Sequence, residues 1–113
     1  MLNFDISTES EGDSALVRFT GDLDIQVAER AAEAVERVEA SKPTLLVIDL
    51  SGLSFMDSSG MAVVAAAHAR ALEVDRRFVI VNPRAGVRRA FEVSGLDQAV
   101  ETVDELASVY PPD

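Results

Sequence analysis

Residues 45–70, LLVIDLSGLSFMDSSGMAVVAAAHAR, pass without a break from the most apolar strand-like run of the chain to its most apolar helix-like run, through a link crowded with hydroxyls and carboxylates. Leu45-Leu46-Val47-Ile48 is a short continuous apolar run, the pattern of a strand covered on both faces in a parallel sheet. Such a strand needs a layer on either side, so the remaining elements must supply those layers. Asp49 to Phe55 reads as a turn rich in Ser and Gly. Asp57-Ser58-Ser59 then stands directly before a periodic apolar segment, which is how a helix N-terminus is written. Ser58 is therefore expected beside unpaired backbone N–H groups, where about half a positive charge accumulates and phosphate is well accepted. On these residues alone a plain helix-capping role, worth about 1 kcal/mol, is the favoured reading of the same serine. Gly60 lacks a Cβ where another molecule could approach, and Phe55 and Met56 place apolar surface beside the polar loop.

The other elements follow from periodicity. Phe4–Ser7 and Ala15–Thr20 alternate as strands about a polar turn at residues 9–13, which predicts an antiparallel hairpin at the edge of the sheet. From Asp24, a candidate N-cap, the period becomes helical: Ile25, Ala28, Ala32, Val35 and Val38 form one face. Ser41-Lys42-Pro43 ends that helix. Met61–Val74 predicts a second helix, with Met61, Val64, Ala65, His68 and Leu72 toward the sheet and Ala62, Ala66 and Ala69 on another face. That Ala stripe is either a smooth surface for a partner helix or simply good helix-forming sequence. Phe78–Val81 is the next strand, Asn82-Pro83 a turn, and Arg84–Ser94 a helix stopped by Gly95. Leu96–Val100 reads as a short last strand and Asp104–Val109 as a last helix before Pro111-Pro112.

This order, β-β-α-β-α-β-α-(β)-α, contains strand–helix–strand units that cross right-handed and make their strands parallel neighbours. The fold class is α/β, with a mixed sheet of four to five strands packed with about four helices. Gly21–Asp24, Ser51–Gly60 and Asn82–Arg84 all follow strands, at the carboxyl edge where open α/β sheets bind ligands, and are expected to form one surface.

Chemistry of the chain's own is hard to build from these residues. There is no Cys, so thiolate metal sites and disulfides are excluded, and the single His68 cannot make a zinc site alone. That histidine follows Ser58 by about three helical turns, too far to activate it as a nucleophile. Asp49, at a parallel strand, lacks the early acidic pair and placed lysine that a phospho-accepting aspartate needs. No Walker phosphate loop occurs. The net charge of −10 opposes nucleic acid and anionic membranes as partners and favours a basic protein. Arg70, Arg76, Arg77, Arg84, Arg88 and Arg89 gather six of the ten basic residues, either as a solvated face or as a second docking surface for an acidic partner. The start, Met1-Leu2-Asn3-Phe4-Asp5, lacks a basic and apolar leader, and the apolar run Met61–Ala67 is far short of the roughly 20 residues of a membrane span, so a cytoplasmic location is expected.

The loop LSGLSFMDSSG resembles the signature of anti-sigma factor antagonists, which are free-standing STAS domains. Thr20-Gly21-Asp22-Leu23-Asp24 resembles that family's G-[ED]-L-D turn, and Phe91-Glu92-Val93-Ser94-Gly95-Leu96-Asp97 its C-terminal hydrophobic-x-x-[ST]-G-[LIF] element. Three motifs in the family's order are far more specific than any one. Where many members carry a second glycine two residues after Gly60, this chain has Ala62. The resemblance implies one STAS domain over residues 1–113, with 110–113 as a flexible tail, and no enzyme activity. It implies that Ser58, the first serine after the aspartate, is phosphorylated, and that the unphosphorylated form binds an anti-sigma factor with serine kinase activity and so releases a sigma factor. A serine phosphatase would reset the switch. No cofactor is implied for the chain itself, since ATP and Mg²⁺ belong to the kinase. The partner surface would comprise Asp22, Asp24, Phe55, Met56, Asp57, Ser58, Ser59, Gly60 and Ala62, with turn and capping roles also open for the first two. A stressosome-type scaffold, an accessory subunit of a lipid transporter and a small-ligand-binding module are the alternatives within the same fold.

Overall fold

A computed structural model describes residues 3–81 and 85–109. The chain runs β1 (Phe4–Glu11), β2 (Ser14–Leu23), α1 (Ala28–Glu39), β3 (Leu45–Met56), α2 (Ser58–Glu73), β4 (Arg77–Val81), α3 (Ala85–Ser94), α4 (Leu96–Ala99) and β5 (Glu101–Val103), with a short 3-10 turn at Leu106–Ser108. The five strands lie in the order β1-β2-β3-β4-β5. β1 and β2 are antiparallel and every later pair is parallel, so the mixed sheet with a hairpin at its edge is as the sequence predicts. Because successive parallel strands are also spatial neighbours, right-handed crossovers carry α1, α2 and α3 to the same side of the sheet.

Strand alternation divides the interior into two layers. Ala15, Val17, Phe19, Leu46, Ile48, Leu50, Phe78 and Ile80 face the helices and pack against Val27, Ala31, Val35, Val64, Ala67, Ala71, Val87 and Phe91. On the other face Leu16, Val47, Val79 and Val81 are covered by Val109 and the half-buried Leu106 of the C-terminal segment. β3 is thus enclosed on both sides from Leu46 to Leu50, which is why its sequence does not alternate. Within that run Asp49 is the buried charged residue, 4% exposed. Its Oδ2 accepts from Arg18 Nε at 3.0 Å, and its Oδ1 from the Ser51 backbone N–H at 2.9 Å and hydroxyl at 2.7 Å. Burial alone pushes this carboxyl up, but the Ser51 and Arg18 hydrogen bonds more than offset it and hold the group below its ordinary value of 3.8.

Several elements differ from the expected ones, each because a neighbouring strand or layer overrides local pattern. Residues 49–56 continue as strand, since Thr20–Leu23 pair with Gly52–Met56 across a register shift. Gly21–Leu23 is accordingly the end of β2 and no turn. Gly21 has φ +90°, and a Cβ there would collide with the Asn3 carbonyl oxygen. Asp24 does not cap α1: the helix begins at Ala28 with Val27 at its N-cap, and Asp24 instead closes a local turn by accepting from Gln26 N at 3.0 Å. Ile25 is 75% exposed, outside the buried stripe of Val27, Ala31, Ala34 and Val35. In α2 the buried residues are Gly60, Val63, Val64, Ala67 and Ala71, so Leu72 falls beside the stripe and is 69% exposed. Gly95 adopts φ +82° after α3 as expected, yet Leu96–Ala99 is a helical turn and β5 starts only at Glu101. The expected last helix is reduced to the 3-10 turn. The turn at Asn82-Pro83 with Arg84, and the tail 110–113, lie outside the described residues.

Gly60 has an internal cause. A Cβ there would stand 2.6 Å from Met56 Cγ, 2.8 Å from Leu23 Cγ and 3.0 Å from the Leu23 carbonyl oxygen, so its smallness lets α2 close onto the ends of β2 and β3. Gly60→Ala is expected to lower unfolding stability by about 1–3 kcal/mol, despite the better helix propensity of alanine, as read from the midpoint of denaturant unfolding. The depressed Asp49 carboxyl contributes stability that is complete above its unfolded value near 3.8 and is lost as pH falls through the lower folded value. Asp49→Asn is therefore expected to be less stable at neutral pH and to show a flatter loss of stability on acidification below about pH 5 than the parent, measured by denaturant unfolding across pH.

Candidate functional site

The carboxyl ends of β2 and β3 finish side by side, with Leu23 paired to Met56 and Asp57 N donating to Leu23 O at 3.2 Å. Asp57 has extended backbone and is the N-cap of α2. Its Oδ1 accepts from Ser59 N at 2.9 Å and Gly60 N at 3.1 Å, and its Oδ2 from Ile25 N at 3.2 Å. One carboxylate thereby satisfies two of the four free N–H groups that begin a helix, and ties them to the connection leading into α1. Ser58 is displaced from the capping role into the first helical position. It is exposed, and among the described residues its hydroxyl makes no hydrogen bond.

Beside Ser58 lies an open groove of about 500 Å³ between two helices. Met56, Asp57, Ser58 and Met61 form one wall, and Gly86, Arg89, Ala90, Val93 and Ser94 the other. Val93 in the far wall is 81% exposed, and Phe55, three residues before the serine, is 50% exposed. Ala62, Ala66 and Ala69 of α2 are all exposed, as the stripe predicts.

The expected partner residues separate by burial. Ser58, Phe55 and Ala62 are exposed and close in sequence to the cap, and Asp57 and Ser59 are half-buried at it. Asp22 accepts from Asn3 Nδ2 at 2.9 Å, and Asp24 is occupied with its local turn, so both carry a structural duty. Met56 is 7% exposed and belongs to the core, contributing to the groove as floor. Gly60 is buried beneath the helix start and offers a partner no free approach. Ile25 and Val93 are exposed apolar residues that the sequence reading did not single out, and Arg89, read there only as one of the arginine cluster, lines the groove. Ile25 fitted a helical period that starts later than expected, whereas Val93 lies off the Val87–Phe91 stripe and was open to detection on that ground.

The arginine cluster resolves largely into ion pairs. Arg70 and Arg76 meet Glu39, Arg77 meets Glu101, and Arg88 meets Asp104. Those carboxylates occupy the cations that a second, acidic partner would need. His68 packs against Phe78 with ring centroids 5.8 Å apart and lies ten residues, or about 15 Å, along α2 from Ser58. No group of metal-ligating side chains occurs among the described residues, and no helix among them is long and apolar enough to cross a membrane.

Residues 5–109 match the STAS domain family model. Over 92 residues the chain is 33% identical to the anti-sigma-F factor antagonist RsfB of Mycobacterium tuberculosis, covering 81% of this chain and 75% of that protein. The crystal structure of an anti-sigma factor antagonist from Mycobacterium paratuberculosis superposes with a TM-score of 0.85 at 27% identity, covering 93% of this chain and 89% of the other. The Bacillus cell fate determinant SpoIIAA in its phosphorylated form shares the fold with a TM-score of 0.73 at 24% identity, covering 93% and 96%. The chain belongs to the STAS domain family and, within it, to the anti-sigma factor antagonists.

Proposed function

We propose that this protein is a phosphorylation-controlled binding module in the cytoplasm, whose unphosphorylated form binds an anti-sigma factor with serine kinase activity and thereby frees a sigma factor. The observation that carries the proposal is Ser58: an exposed hydroxyl, held at the first residue of α2 by the Asp57 cap and bordered by exposed Phe55 and Ala62. A hydroxyl so placed can enter another protein's active site without local unfolding. In the kinase, Ser58 Oγ attacks the γ-phosphorus of ATP as the bond to the β–γ bridging oxygen breaks, ADP leaves, and the hydroxyl proton passes to a base of the kinase. A phosphatase reverses the state by attack of water at phosphorus, with Ser58 Oγ as the leaving oxygen.

The added group carries about −1.5 to −2 charges. It would stand next to the Asp57 carboxylate in the middle of the docking surface, where like charge and desolvation oppose any acidic or apolar contact. A penalty of about 3 kcal/mol weakens affinity by about two orders of magnitude, enough for a switch with no refolding of the domain. Structural relatedness adds support, since a Bacillus protein of this fold is known in a phosphorylated form.

Affinity capture with the unphosphorylated protein is expected to recover an ATPase of the histidine-kinase type, and adding the protein to that ATPase in complex with its sigma factor is expected to release the sigma factor; retention of the sigma factor would refute the proposal. Incubation of that kinase, ATP and Mg²⁺ with the protein is expected to place phosphate on Ser58 and on neither Ser59 nor Ser54. Tandem mass spectrometry mapping it elsewhere would refute the assignment. Ser58→Asp is expected to abolish tight binding while lowering Tm by less than about 8 °C, because a carboxylate at a helix N-terminus is locally favourable. Ala62→Arg or Ala66→Arg is expected to weaken binding at least tenfold in titration calorimetry with stability unchanged within about 0.5 kcal/mol, both positions being exposed. Normal binding by both variants would confine the interface to the surface around Ile25, Phe55 and Ser58.

A further inference from the structure

Most arginines of the described fold are engaged. Arg18 meets Asp49, Arg70 and Arg76 meet Glu39, Arg77 meets Glu101, Arg88 meets Asp104, and Arg30 lies over the Phe4 ring at 5.6 Å. Arg89 differs from these. It is exposed, makes no ion pair among the described residues, and stands in the groove wall opposite Asp57 and Ser58. Asp57 and Arg89 are the charged residues lining that groove among the described residues.

A phosphoryl group on Ser58 would find poor partners on its own helix. The N–H groups of Ser59 and Gly60 already donate to Asp57 Oδ1, and that carboxylate repels a second anion beside it. A dianion in this position needs a cation from another element. Arginine suits the need because its guanidinium is permanently charged and offers a planar pair of donors to phosphate oxygens. We propose that Arg89 is the internal counter-ion of phosphorylated Ser58, joining α2 to α3 by a salt bridge across the groove. The proposal rests on Ser58 being the phosphoryl acceptor. Its consequence is that phosphorylation acts twice: the charge opposes the partner, and the bridge lies over the apolar groove lined by Met61 and Val93, withdrawing that surface from docking.

Protein with phosphoserine installed at position 58 during translation tests the bridge independently of any kinase. In a phosphorus-31 NMR titration, the second phosphate ionisation is expected to lie at least about half a unit below that of a phosphoserine peptide spanning residues 54–62, since a nearby cation favours the dianion. Arg89→Gln is expected to return it toward the peptide value, Arg89→Lys to retain most of the depression, and Arg88→Gln to leave it unchanged. Asp57 is held by the same hydrogen bonds in every folded variant, so its opposing effect cancels in the comparison of Arg89→Gln with the parent. Thermal melts of the variants accompany the titrations, and Arg89→Lys carries the comparison if Arg89→Gln is unstable. A parent protein that titrates like the peptide, or an Arg89→Gln protein that titrates like the parent, overturns the proposal. Neither result bears on the acceptor residue, which is judged separately by mapping the kinase product.

Discussion

A strand with no solvent face sets the terms for this protein. Leu46–Leu50 must be covered above and below, and the chain meets that demand with the helices on one side and the Leu106–Val109 segment on the other. Burial of such aliphatic side chains is worth about 1.5–3 kcal/mol each, far more than the propensity of any single residue in the strand. Asp49 is tolerated inside only because Ser51 and Arg18 together saturate its carboxylate. Once β3 is enclosed, its carboxyl end must project from between the layers, and the polar residues that follow are delivered to the surface at a defined place.

At that place one carboxylate organises the chemistry. Asp57 binds two N–H groups of α2 and one of the β2–α1 connection, so the start of the helix, the end of β2 and the exposed Ile25 are held in one arrangement. The aspartate relieves the helix terminus of its free donors and frees Ser58 from a structural duty. The division of labour suits a modifiable residue: the stability of the helix start rests on Asp57 in either state, so a phosphoryl group on Ser58 would neither make nor break the cap. Gly60 completes the arrangement by letting the helix start close against Met56 and Leu23.

Regulation at such a site depends on local electrostatics and needs no global movement. A phosphoryl group within a few ångströms of Asp57 would make the surface that a partner meets more negative and would change its shape. On the proposed reading Arg89 across the groove would give a phosphorylated Ser58 a contact of its own, whereas the paired arginines elsewhere serve to join elements: Arg70 and Arg76 link α2 and its exit to α1 through Glu39, and Arg77 links β4 to β5 through Glu101.

Hydropathy determined the buried central strand, the edge hairpin and the alternation of strands with helices, and glycine's tolerance of a left-handed backbone determined the stop at Gly95. These are local or periodic properties, and each residue's neighbours in sequence suffice to express them. The family motifs singled out Ser58, which the structure presents, exposed, at the first residue of α2. Other features were decided by residues distant in sequence. Residues 51–54 have the composition of a turn, yet the strand continues through them because Thr20–Leu23 pairs with Gly52, Leu53, Phe55 and Met56, leaving Ser51 and Ser54 at register shifts. Ile25 keeps a helical period with Ala28 and still lies outside the helix, because the Asp24 turn and the Asp57 carboxylate hold its backbone elsewhere. The glycine at 60 answers to Leu23, and the arginines answer to Glu39, Glu101 and Asp104, partners at separations from 16 to 37 residues that no local pattern encodes. Which residues are apolar and in what period is written along the chain; which donor meets which acceptor is settled only when β2 and β3 lie side by side and the helices close over them.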